Sequence, residues 1–210
     1  GAKLQGSPGM IGIIDYGMGN LRSVENALDH LGLDHVISSD SQVLDQCDRL
    51  ILPGVGAMQD CMKALKEAGL DSWLRAQTKP LLGICLGMQA FFEDSAENGG
   101  VQCLGLMPGH FEKMEDPAIR VPHIGWNELE VAPDHPLKDI LGDHPYVYYD
   151  HSYYGCDLDP DTILGVSRHG KYTIPGLTGK GSLLACQFHP EKSGETGLKI
   201  LSYFGKEMQS

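Results

Sequence analysis

"PLLGICLGMQAFFEDS", residues 80–95, is the stretch on which the fold turns. Leu81 to Ile84 is a short apolar run suited to a buried strand, and from Gly87 onward the apolar positions take up a helical rhythm. Between the two stands Cys85, with a glycine two residues away on each side. Gly83-Ile84-Cys85-Leu86-Gly87 has the G-x-nucleophile-x-G form. In such an elbow the reactive side chain sits on a strained strand-to-helix turn. The glycines let backbone segments approach where a Cβ would clash. The start of the helix directs free N–H groups and its positive dipole end at the thiol, which favours the thiolate. A small buried cysteine between incidental glycines explains the pentapeptide equally well, so the decision has to come from the rest of the chain.

Outward from this point the same alternation recurs. "IGIID" (11–15) and "RLILPG" (49–54) read as buried strands and "DHVISS" (34–39) as a short one. "GMGN" (17–20) leads into a helix with Leu21, Val24, Leu28 and Leu31 on one face, and Asn20 is placed to cap it. Residues 57–68 and 87–93 read as further helices, and 195–208 as a closing one. This order predicts a mostly parallel sheet with helices on both faces. In the second half, "WNELEV", "YVYYDHSYY", "TILGVS", "KYTIPGL" and "SLLACQFHP" are strand-like and closely spaced. They predict antiparallel strands and hairpins added to the parallel core. Sites in α/β sheets gather at the carboxyl ends of strands, so chemistry is expected after Asp15, Leu52, Ile84 and Phe188.

The 210 residues suit one domain. With 41% hydrophobic and 21% charged residues the composition is that of an ordinary globular protein. A net charge of -12 disfavours nucleic acid and anionic membranes as partners. No apolar run reaches the ~18 residues of a membrane span, and no basic-then-apolar leader is present. The six cysteines are scattered, without a C-x-x-C pair, and read as reduced thiols of a cytoplasmic protein. "GAKLQGSPG" (1–9) lacks periodicity and reads as a tag remnant, with Met10 as the native start and 10–210 as the domain.

A thiolate at Cys85 needs a proton carrier. In "QFHPEKS" (187–193), His189 and Glu191 are two apart, so an extended chain puts both side chains on one face. A carboxylate there can fix the orientation and tautomer of the imidazole. His-x-Glu also occurs in zinc deaminases, but their P-C-x-x-C partner is absent, so no metal is expected. "LPGVGA" (52–57) lacks the third glycine of a dinucleotide fingerprint and the Gly-Lys-Ser/Thr of a P-loop. Its better use is an oxyanion hole built from backbone N–H groups of the turn together with that of Leu86. A tight turn with no chemistry is the plain alternative.

Pro53-Gly54-Val55-Gly56, Gly83-Ile84-Cys85-Leu86-Gly87-Met88-Gln89 and His189-Pro190-Glu191, in this order, resemble the class I glutamine amidotransferases. "DYGMGN", "PGVGA", "CLGMQ", "PHIGWNEL" (122–129), "DHSYY" (150–154) and "QFHPEKS" resemble one branch of that family, the glutaminase subunits of imidazole glycerol phosphate synthases. The resemblance spans 10–208, although "YTIPGLTGKGSL" (172–183) has no clear match. It implies a flavodoxin-like α/β fold and hydrolysis of L-glutamine to glutamate and ammonia through a thioester, with no cofactor. Cys85 is then the nucleophile, His189 the proton carrier and Glu191 its orienting carboxylate. Leu86 and the Gly54-Val55 peptide supply the oxyanion donors, and Gly54, Gln89, Ser152 and Tyr153 hold the glutamine. Ammonia passes to a cyclase subunit with a (β/α)₈ barrel in a heterodimer, with Asn20, Trp126, Tyr148 and Lys192 near the interface. Two alternatives stand beside this reading. One is an amidotransferase subunit feeding a different synthase, such as one for sugar or surface-polysaccharide amination. The other is a non-enzymatic module with Cys85 merely oxidisable, against which the intact His189 and Glu191 argue.

Overall fold

The structure is a computed structural model that describes residues 9–209. Apart from Gly9, the segment read as a tag remnant therefore lies outside the described residues. The first half runs β1 (Ile11–Ile14), α1 (Leu21–His30), β2 (His35–Ser38), α2 (Ser41–Asp45), β3 (Arg49–Leu52), α3 (Met58–Glu67), α4 (Leu70–Arg75), β4 (Leu81–Ile84) and α5 (Leu86–Ala90). The second half begins with β5 (Asp94–Ser95), β6 (Val101–Gln102), β7 (His110–Lys113), β8 (His123–Glu128), β9 (Glu130–Val131) and α6 (Pro136–Leu141). It continues through β10 (Tyr146–His151), β11 (Tyr153–Cys156), β12 (Ile163–His169), β13 (Tyr172–Lys180) and β14 (Leu183–Cys186) to α7 (Gly194–Lys206).

The main sheet has the order β2-β1-β3-β4-β14-β13-β12-β9. Its first five strands are parallel, in the flavodoxin-like order, and β13, β12 and β9 extend the sheet antiparallel. Successive residues of the parallel strands face opposite sides. Leu50, Leu52 and Leu81 join a core with Met58, Cys61 and Leu65 of α3 and with Leu86 and Met88 of α5. Ile51, Leu82 and Ile84 join the opposite core with Val24 and Leu28 of α1 and Ile200, Leu201 and Phe204 of α7. Each strand therefore reads as a continuous apolar run because both of its faces are covered.

Three expectations are corrected. The helix expected over 87–93 runs from Leu86 to Ala90, because loop amides take over its last carbonyls: Leu104 N donates to Ala90 O at 2.9 Å and Leu106 N to Phe91 O at 2.7 Å. Asn20 stands at the cap position of α1, but its side chain makes no capping bond. His189 and Glu191 do not lie on an extended chain, since Pro190–Lys192 is a 3₁₀ turn. The 172–183 segment, which has no clear family match, is largely β13, a strand as "KYTIPGL" suggested, paired on both sides inside the sheet. The sequence reading missed α4, as it did the short helices α2 and α6, and the small sheet β11-β7-β5-β6 apart from the start of β11 inside "YVYYDHSYY". The first has only six residues and two of the strands only two, too short for periodicity to register.

Candidate active site

Strands β4 and β14 are parallel neighbours, with Cys186 in register with Ile84. Their carboxyl ends therefore deliver Cys85 and the 187–191 segment to one place. Cys85 N donates to Cys186 O at 2.7 Å, which ties the two ends together. Cys85 has φ 54° and ψ −108°, an unfavourable conformation for a residue with a side chain. The flanking glycines answer the question raised by the sequence. A Cβ on Gly87 would lie 1.9 Å from Leu52 O, and one on Gly83 would lie 2.9 Å from Gly87 O and 2.8 Å from Phe91 Cζ. Helix α5 thus folds back onto its own strand and against β3, leaving the thiol at the top of the sheet.

His189 Nδ1 lies 3.1 Å from Glu191 Oε2, across the first turn of the 3₁₀ segment, with both side chains almost wholly buried. A carboxylate only accepts, so Nδ1 carries the proton and the other ring nitrogen is left to exchange one with Cys85. Burial by itself lowers the His189 pKa. Hydrogen bonds to Cys85 and Glu191, and the charges of both, outweigh that and raise it to about 10. The imidazole is therefore a strong proton acceptor facing the thiol. Its main chain is bracketed as well: His189 N donates to Tyr148 O at 2.9 Å, and Ser193 Oγ donates to His189 O at 2.6 Å.

These groups open into a cavity of about 300 Å³, whose lining includes Val55, Leu86, Gln89, Ser152, Tyr153 and Lys192. Gly54, expected to help hold the substrate, is not itself among the lining residues but bonds to one of them: its carbonyl accepts from Leu86 N at 3.2 Å. The Leu86 N–H, expected to point at a developing oxyanion, is thus engaged by Gly54 O. In a trans peptide the Val55 N–H points the opposite way. Both anticipated donors are adjacent to Cys85 and neither is free. Trp126 is 58% exposed, packs edge-on to Tyr148 at 6.0 Å, and lies outside the cavity together with exposed Asn20.

The family model for glutamine amidotransferase class-I matches residues 12–208. The chain belongs to that family. Among curated relatives, imidazole glycerol phosphate synthase subunit HisH of Bacillus cereus (strain G9842) is 48% identical over 198 residues, 93% of this chain and 93% of its own. The HisH of Listeria monocytogenes serovar 1/2a is 48% identical over 199 residues, covering 93% of this chain and 94% of its own. A solved structure described as a glutamine amidotransferase superposes with a TM-score of 0.72 at 23% identity, covering 92% of this chain and 96% of that one, a likeness of fold.

Several residues in or beside the cavity escaped the sequence reading. Gln187 Nε2 lies 3.9 Å from Cys85 Sγ, and its Oε1 accepts from Gln89 Nε2 at 3.3 Å, which holds Gln89 against the pocket. Glu97 also lines the cavity while its Oε2 accepts from Met58 N at 3.2 Å, at the start of α3. His151 lines the cavity too, and bonds to buried His123. The available signal was a histidine at an inward position of an alternating strand. Among the described residues, His110, Glu112 and Cys156 form the one group spaced to hold a metal ion, on β7 and β11 away from the cavity. Glu112 accepts from the Cys156 thiol at 3.6 Å and stands 3.5 Å from His110 Nε2, so side-chain pairing already accounts for the group. None of the described helices is long and apolar enough to cross a membrane.

Burial, then the neighbouring histidines, pushes His123 down to about 3. Burial pushes His151 down to about 4, with the Tyr153 carbonyl acting in the opposite direction. A folded pKa below the unfolded ~6.5 stabilises the fold above that pH and loses the contribution as pH falls toward the folded value. From about pH 7 to about pH 4 the wild-type melting temperature should therefore fall more than that of His123→Leu. A steeper fall in the variant would contradict this.

Proposed function

We propose that this chain is the glutamine-hydrolysing subunit of an imidazole glycerol phosphate synthase, with Cys85, His189 and Glu191 as its catalytic triad. The observation that carries the reading is the meeting of the Cys85 elbow and the His189–Glu191 pair at the ends of two adjacent strands. The overall likeness to HisH proteins of the same length supports the assignment to histidine biosynthesis.

The chemistry follows from these groups. His189 takes the Cys85 proton, and the thiolate attacks the carboxamide carbon of glutamine to give a tetrahedral oxyanion. Collapse expels the amide nitrogen, which leaves as ammonia with a proton from His189, and a thioester remains. His189 then takes a proton from water, which attacks the thioester; Cys85 leaves as thiolate and glutamate is released. Gln89, Ser152, Tyr153 and Gly54 hold the substrate. Ammonia passes to a cyclase partner with a (β/α)₈ barrel, which docks over Asn20, Trp126, Tyr148 and Lys192. Exposed Ile124 and Tyr146 continue this apolar face, and aromatic exposure of this kind suits an interface.

Cys85 should be the cysteine trapped by a glutamine-like electrophile. Burial pushes four of the other thiols up, Cys61 and Cys156 to about 11, Cys103 to about 12 and Cys186 well above the ordinary thiol value. Peptide mass mapping after labelling tests this, and preferential modification of any other cysteine would remove the nucleophile assignment.

A further inference from the structure

The pocket wall at 150–153 is held in place by an unusual device. Strand β10 ends at His151 and the chain turns at Ser152 into β11. Cys85 Sγ donates to the Asp150 carbonyl of this wall at 3.7 Å. The last rung of the β8–β10 ribbon pairs His151 with His123, and both side chains point inward. His151 Nδ1 lies 2.8 Å from Tyr153 O, a carbonyl that only accepts, so Nδ1 carries the proton. In the neutral ring Nε2 is then bare, and it lies 2.8 Å from His123 Nδ1, which must donate to it. His123 Nε2 is left bare in turn and accepts from Asn127 Nδ2 at 3.2 Å. Asn127 Nδ2 also donates to Arg168 O at 2.8 Å, and Asn127 Oδ1 accepts from Glu128 N at 2.8 Å.

One proton arrangement satisfies every member of this chain. The His123 ring cannot swing away, because it is stacked between Tyr149 at 4.4 Å and His169 at 4.1 Å. Tyr149 is itself fixed by Ser167, whose hydroxyl donates to Glu128 O at 2.7 Å and therefore accepts from Tyr149 OH at 2.6 Å. An apolar pair would fill the same space and leave the Tyr153 carbonyl without its buried donor, at the cost of an unmade hydrogen bond.

We propose that His123 and His151 are positioning residues: a proton-ordered pair that fixes the turn at Ser152 and sets Ser152 and Tyr153 against the bound glutamine. This rests on the glutaminase reading of the pocket. It assigns no bond-making step to either histidine. The loss on breaking the pair therefore falls on recognition of glutamine and leaves the intrinsic reactivity of the thiol unchanged.

Two labelling reactions at Cys85, run in the complex with the cyclase subunit, separate these effects. Iodoacetamide needs only the thiolate, whereas a glutamine-shaped diazoketone also needs the substrate subsite. His123→Leu and His123→Gln remove the donor that faces His151. They should keep the iodoacetamide rate within about twofold, slow the diazoketone by about tenfold, and raise the glutamine KM more than they lower kcat. His123→Asn places an amide nitrogen where Nδ1 stood and should restore most of the loss. If the leucine variant does not fold, Gln against Asn carries the comparison, since both are polar and differ in where the donor sits. Unchanged diazoketone rates, parallel loss of both reactions, or Asn no better than Gln would overturn the positioning role. A wild-type complex that takes iodoacetamide but never the diazoketone would overturn the glutaminase reading, and this inference with it.

Discussion

Replacing His189 with alanine is expected to lower glutamine turnover by about 10⁴-fold or more, and Glu191→Gln by far less. In the proposed mechanism the imidazole acts in both half-reactions: it receives the thiol proton, gives one to departing ammonia, and takes one from the attacking water. Among the described residues nothing else beside Cys85 is placed to do this, since the other close contacts are the Asp150 carbonyl and the Gln187 amide. Glu191, in the same proposal, only orients the ring. That task is shared by the main-chain brackets from Tyr148 and Ser193. A glutamine at 191 still offers an oxygen to Nδ1, and a thiol needs less help from its base than a hydroxyl does. Steady-state glutamate formation in the assembled complex measures both variants. A His189→Ala enzyme with near-normal turnover would end the triad assignment.

How much of this was legible depends on the range of the interaction. The elbow could be read because close backbone approach leaves a mark in composition: with 1.9 Å between a Gly87 Cβ and Leu52 O, only glycine fits. The His189–Glu191 contact could be read from spacing, although the chain makes it through a 3₁₀ turn where an extended segment was expected. Helix α5 was misjudged because its end is set by the amides of Leu104 and Leu106, more than a dozen residues downstream. The same holds for Gln187 against Gln89 and for His123 against His151, 98 and 28 residues apart. A long-range partner leaves no local signature. The direction of the Gly54 carbonyl lies further still from the sequence, because no residue type encodes which way a peptide between two flexible positions is turned.

That carbonyl underlies the second large effect. The isolated chain should be a poor glutaminase, about 10²-fold or more below its complex with the cyclase partner and that partner's nucleotide ligand. In the structure Gly54 O accepts from Leu86 N, so the first oxyanion donor is occupied and the second, the Val55 N–H, faces away. Rotating the Gly54-Val55 peptide frees the first and delivers the second, and a single such donor is worth about 3 to 4 kcal/mol in comparable sites. The rotation is confined to a short hinge. Tyr16 OH donates to Pro53 O at 2.6 Å and pins the residue before it, while Gly56, at φ 111°, follows Val55. Met18 lies close beneath Gly56, and Gly19 against Gly54, so the loop that ends at exposed Asn20 touches the hinge from below. A partner seated, as proposed, on Asn20, Trp126 and Lys192 would therefore have a direct route to the peptide, and glutamine would be spared until an acceptor for ammonia is bound. Trp126→Ala should weaken complex formation or activation while leaving the melting temperature of the free chain unchanged, since its ring is more than half exposed. The decisive measurement is glutamate production by the free chain, the binary complex and the ligand-bound complex. Equal rates in all three would make this a free-standing glutaminase, with the Gly54 carbonyl no obstacle to its chemistry.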